Sequence, residues 1–271
     1  MPNPNSNVPA DEEKQPIVCL PKTLPREMWV PAAQKAISIN PMNRPPVEHL
    51  AMTLQGFVAT PDHLAVLTTK YWKNGGVHLT VGFLDNPPAD LRARIVSHMN
   101  AWNKTANVKF SETQTDPQVR IARMEGDGYW SYLGTDILSI KSDQPTMNLE
   151  AFTMETEDSE FHRVVRHETG HTMGFPHEHM RKELVDLIDV NKAVAFFGET
   201  QGWSPTMVHQ QVLTPIEQSS LWGTDHADPH SIMCYQIPGS ITKNGKAIVG
   251  GTDIDPLDFQ FAQKVYPKNE S

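Results

Sequence analysis

The hydrophobic pattern changes period several times along the chain, and the first clear stretch is VHLTVGFL at residues 77–84. Val77, Leu79, Val81 and Phe83 recur every second residue, and the run is β-branched, which predicts a strand. Asn86, Pro87 and Pro88 follow and suit the cap and first turn of a helix. Leu91, Ile95, Met99 and Trp102 then recur at helical spacing and predict its buried stripe. VKF at 108–110 and VRIAR at 119–123 alternate again as short strands. YWSYL at 129–133 and ILSI at 137–140 predict two more strand segments, or one strand bent at Gly134. Residues 145–152 carry no decisive period.

Phe161, Val164, Val165 and Glu168 return to helical spacing and predict a helix over about 159–173, closed by Gly174 and Pro176. Further on, the pattern predicts one helix within 183–198, another within 204–214, and loops over 222–255. A last helix opens at Asp255, with Pro256 in its first turn and Asp258 three residues after the cap. Residues 1–47 are rich in proline, asparagine and charge, which predicts an extended or wrapping segment rather than a domain. Its apolar islands IVCL at 17–20 and MWV at 28–30 predict docking onto the remainder.

Composition narrows the classes. The chain has 271 residues, enough for one large domain or two small ones, and a formal charge of -9 without a long basic run. That balance argues against a nucleic-acid surface. No apolar run is long enough to span a bilayer. The first residues, MPNPNSNVPADEEK, lack the basic end and apolar stretch of a secretory signal. Cys19 and Cys234 allow one disulfide at most, which favours a reducing compartment and leaves a cytoplasmic location open. Oligomeric state has no signature here.

The chemistry concentrates in VVRHETGHTMGFPHEH, residues 164–179. His167 and His171 are four apart, so a helix puts both imidazoles on one face. Gly174 lets the chain turn and bring His177 back as a third nitrogen ligand. Three neutral imidazoles and an open position suit one catalytic zinc. Glu168, beside the first histidine, can reach a water there and act as general base. A solvated helix face or a structural zinc are the alternatives, although structural sites usually close with four protein ligands. His179 has the wrong spacing for the same ion and suits a surface or supporting position. His162 suits a solvent-facing one.

HETGHTMGFPHEH resembles the zinc motif of the metzincin metallopeptidases, and Phe175, Glu178 and Arg181 resemble the astacin subgroup. SIMCY at 231–235 resembles the astacin SIMHY segment, which implies that Met233 is the methionine of the turn under the metal and Tyr235 a switchable tyrosine. Tyr235 would ligate the metal and then stabilise the oxyanion. YWSYLG at 129–134 and KYWKNGGVHLTV at 70–81 extend the likeness, which covers roughly residues 70–267.

The resemblance implies an α+β zincin fold of the metzincin type. Its twisted mixed sheet and active-site helix lie above a cleft, and a loop-rich C-terminal part with a Met-turn lies below. It divides the chain into an N-terminal segment over 1–60 and a catalytic domain over 61–271, whose upper part ends near 174. It also implies a zinc-dependent endopeptidase that binds a peptide or protein in extended form, and secretion. Cys234 stands where the family has a histidine, and the family's two disulfides are impossible here, which implies a divergent microbial branch. A catalytically inactive binding protein of the same fold, or a zinc amide hydrolase with a non-protein substrate, are the alternatives. Cys19 is a candidate blocking ligand for the zinc. It could equally be a small buried apolar residue or a partner for Cys234. The family's aspartate-bearing FxGD pattern has no clean match, GFVATPD at 56–62 being nearest.

Overall fold

A computed structural model describes residues 19, 22–45, 65–73, 75–215 and 227–268. GFVATPD and the expected boundary near residue 60 lie outside the described residues. The alternating segments form a five-stranded sheet: β1 (Val77–Phe83), β2 (Val108–Glu112), β3 (Val119–Ala122), β4 (Tyr129–Ser131) and β5 (Met147–Leu149), in the order β2-β1-β3-β5-β4. Every pair is parallel except β4 with β5. The sheet is therefore mixed, and β4 forms one edge. All four residues of β3 are buried, as a central strand covered on both faces requires.

Helix α2 (Ala89–Met99) packs Leu91, Ile95 and Met99 into the core, and a 3₁₀ turn at Asn100–Lys104 adds Trp102. It starts later than the asparagine signal suggests. Pro88 is the cap, while Asn86 takes a left-handed φ of 47° in the preceding turn.

Two expectations need correction, and one open stretch takes a definite form. Residues 137–140 are not a strand: 137–139 belong to a 3₁₀ turn, Gly134–Ser139, and Ile140 follows as its C-cap. Thr135 N–H donates to Lys70 O at 3.0 Å, and a Cβ at Gly134 would overlap that carbonyl, so the chain turns where its β-branched residues favour extension. The unassigned stretch over 145–152 contains β5. Residues 183–198 hold two helices, Lys182–Val185 and Val190–Gln201, because the Asp189 side chain accepts from Lys192 N–H and restarts the helix.

The N-terminal segment is also not simply extended. Helix α1 (Arg26–Ile39) lies within it despite Pro31, and buries Ala32, Ala33 and Ala36. It packs against the 134–139 turn. Asn43 then anchors the chain: its Nδ2 donates to Tyr71 O at 2.8 Å, and its Oδ1 accepts from Tyr71 N–H at 2.9 Å.

Two apolar clusters divide the molecule. One joins the sheet, α2 and the helical run over 158–173; the other holds Leu184, Phe197, Trp203, Val212 and Ile237 within the C-terminal part. That part is rich in loops. The architecture is the α+β zincin type.

Candidate metal centre

The active-site helix begins with one turn at Asp158–Glu160, passes through a π-helical turn at Phe161–Val165 and continues as Arg166–Met173. Gly174 ends it at φ 100°. Its N–H donates to His171 O at 2.8 Å, and Phe175 N–H reaches Gly170 O at 3.0 Å. This left-handed closure satisfies the last carbonyls and reverses the chain. The reversal brings His177 against the helix face that carries His167 and His171.

The Nε2 atoms of His167 and His171 lie 3.1 and 2.9 Å from Nε2 of His177. His167 Nδ1 faces Ile232 O at 2.6 Å, and His171 Nδ1 faces Phe175 O at 2.8 Å. A carbonyl only accepts, so each Nδ1 carries the proton and each Nε2 presents a lone pair. His167 and His171 thus turn lone pairs toward the third imidazole, a donor set that suits a cation. A tetrahedral ion with bonds of about 2.0–2.1 Å spaces its nitrogens roughly 3.3 Å apart, so these residues fit zinc. Burial pushes all three imidazoles toward the neutral form, His171 to about 4.

Cys19 Sγ completes a cluster whose four ligand atoms lie within 4.8 Å of one another. Its thiol also donates to Glu168 Oε2 at 3.4 Å. Glu168 is buried, and desolvation raises its pKa to about 8 against the lowering effects of Cys19 and Arg163. Burial, then the nearby Glu168 charge, holds the Cys19 thiol well above its ordinary range. A small cleft opens beside Glu168 and is lined in part by Tyr129, Arg163, Ile232 and Tyr235. The Tyr235 hydroxyl donates to Cys19 O. Cys19 and Lys22 pair in parallel with Tyr129 and Tyr132, so the N-terminal segment runs along the β4 edge.

The turn below is fixed by side chains. Met233 lies under the helix at Gly170, where an added Cβ would overlap its sulfur. Met233 O accepts from Glu178 N–H at 2.8 Å. The Glu178 carboxylate pairs with Arg181 Nε at 2.9 Å and accepts from Asp228 N–H at 3.1 Å. Gly174, Glu178 and Arg181 thus shape the site without offering a ligand atom to it.

Sequence reasoning overlooked Asp258. It completes the capping box of the last helix by accepting from Asp255 N–H at 3.0 Å, but its carboxylate also accepts from Ser231 Oγ at 2.6 Å and Ile232 N–H at 2.9 Å. It therefore fixes the residue whose carbonyl sets the His167 tautomer. The capping pattern revealed the helix start and nothing of this second task. His179 is not at the surface either: it is fully buried against Tyr235.

His162 is only half-exposed, with Nδ1 2.8 Å from Asp253 Oδ2. With His98 and Asp158 it forms a second cluster whose ligand atoms also lie within 4.8 Å. Here guanidinium groups are already present. Arg166 Nη1 is 2.6 Å from Asp253, its Nε is 3.4 Å from His98 Nδ1, and Arg94 Nη2 is 2.9 Å from Asp158.

Against known proteins, the model of the Astacin peptidase family matches residues 66–236. The chain belongs to the astacin family. Its cluster adds Cys19 to the three histidines of the astacin-like motif. A solved structure of myroilysin is 33% identical, covers 74% of this chain and 97% of that one, and superposes with a TM-score of 0.69. A second myroilysin crystal structure gives 33% identity and a TM-score of 0.56, over 73% of this chain and 86% of that one. Zinc metalloproteinase nas-27 of Caenorhabditis elegans is 31% identical over 123 residues, 45% of this chain. That match spans only 26% of the relative's length. Membership in this family and the four-residue cluster are together consistent with metal-dependent hydrolysis. Among the described residues, no helix is long and apolar enough to cross a membrane.

Proposed function

We propose that the chain is a zinc-dependent endopeptidase, held latent by its own N-terminal segment. The convergence of three histidine Nε2 atoms beside a buried glutamate carries this reading. His167, His171 and His177 would hold one zinc, which supplies Lewis acidity toward a peptide carbonyl and toward water. Glu168 would take the proton from the attacking water and return it to the leaving nitrogen. Tyr235 would donate to the oxyanion through its hydroxyl. An extended peptide or protein substrate would pair with the β4 edge through its backbone, as Cys19 and Lys22 already do.

The N-terminal segment obstructs each of these roles. Cys19 Sγ lies where it would be a fourth ligand, and its carbonyl engages the Tyr235 hydroxyl. Closing the open position with a thiolate converts a catalytic ligand set into a closed one. With two cysteines and no disulfide, the chain would represent a divergent branch of the family.

The test is casein hydrolysis by full-length wild type, Cys19→Ala, and Cys19→Ala combined with Glu168→Gln, with zinc content measured for each. Cys19→Ala should be the most active without proteolysis. Adding Glu168→Gln should keep the zinc and remove nearly all hydrolysis, because an amide cannot take the proton. Wild type as active as Cys19→Ala would sink latency. Undiminished hydrolysis by the double variant would sink the role of Glu168.

A further inference from the structure

Tyr235 can donate to an oxyanion only if its hydroxyl is held at one place, and its phenol ring is gripped on one face by His179. The two rings are stacked, with centroids 4.0 Å apart and planes at 18°. His177 meets the same phenol at 4.3 Å but is tilted at 52°. Its ring faces the other histidines, so its plane is already committed to the metal cluster.

His179 is itself anchored from behind. It is fully buried, and its Nε2 lies 3.0 Å from Gln211 O, in the π-helical turn His209–Leu213. The carbonyl only accepts, so Nε2 carries the proton. Nδ1 is left with a lone pair and meets no hydrogen-bond partner among the described residues. A buried nitrogen without a partner is costly, and an apolar residue would fill the space without that cost. What the histidine supplies in exchange is a flat ring tethered at one edge. We infer that His179 is a positioning residue for Tyr235: a tethered plate that fixes the plane of the phenol and so the path of its hydroxyl toward the metal side of the cleft. This rests on the oxyanion role proposed for Tyr235.

The test is a double-mutant cycle in the full-length Cys19→Ala protein. His179→Leu and His179→Phe are each made with and without Tyr235→Phe. Values of kcat and KM on a quenched fluorogenic peptide are read beside zinc affinity and Tm. His179→Leu should lower kcat by about fivefold to tenfold, the size of effect an aromatic pair supports, with KM and zinc affinity unchanged. His179→Phe restores a ring without the tether and should recover most of that loss. In the Tyr235→Phe background His179→Leu should cost nothing further, because the hydroxyl being positioned is gone. Equal losses in both backgrounds, or no recovery with phenylalanine, would overturn the positioning role while leaving Tyr235 itself intact. A Tyr235→Phe protein with undiminished kcat would instead overturn the oxyanion reading, and the positioning role with it.

Discussion

Two histidine clusters draw on the helical run over 158–173, one with Asp158, His162 and His98 of α2 and one with His167, His171, His177 and Cys19, and only one has the features of a metal centre. His167 and His171 turn lone-pair Nε2 atoms toward Nε2 of His177, and each is fixed from behind by a carbonyl. His98, His162 and Asp158 are as closely spaced, yet two guanidinium groups already supply the positive charge. Proximity of ligand types is therefore a poor criterion. What distinguishes the clusters is whether the lone pairs are free, whether the tautomer is fixed, and whether a cation is already resident.

The largest difference between them should appear on removing a ring. His171→Ala is expected to weaken zinc binding by more than about hundredfold, since loss of a direct ligand exceeds the cost of a supporting partner. His162→Ala should leave zinc affinity unchanged. Competition against a chelating dye measures both. Equal weakening by the two variants would erase the distinction.

A smaller effect probes the support under the first cluster. Gly170→Ala would drive a Cβ into Met233 Sδ and to 3.2 Å from its Cε. Overpacking of this kind should cost about 1–3 kcal/mol of stability, read by urea denaturation. An unchanged midpoint would mean that the turn yields freely and that close packing on Met233 does not hold the helix.

The smallest expected effect concerns the resident cation. Arg166→Met removes a donor from Asp253, and also from His98 and His162. The Asp253 side chain is 43% exposed, so the loss should be only about 1 kcal/mol. High salt should narrow the gap from wild type. Uptake of a second zinc by this variant would show that Arg166 had been keeping a true metal site closed.

The convergence of the three histidines was legible because they fall within eleven residues, and helical spacing with one glycine turn sets their geometry. The α+β order of elements was legible for the same local reason. What was not legible came from distant contacts. Lys70 O bends residues 134–139 into a turn against their extended preference. The surroundings of His179 come from Gln211 and Tyr235, far from it in the chain. Its spacing excluded it as a ligand but revealed nothing of its burial. Asp258 was visible as a capping residue, and its hold on Ile232 was not. Cys19 was a suspicion from chemistry alone, since 149 positions separate it from Glu168.

The most direct test of the central distinction is to count bound zinc by native mass spectrometry, after exchange into metal-free buffer and addition of one, two and four equivalents. One zinc per chain is expected in wild type and in a variant carrying His98→Ala and His162→Ala, and none in one carrying His167→Ala and His171→Ala. A second zinc in wild type that disappears with His98 and His162, or a zinc that survives the loss of His167 and His171, would contradict the account.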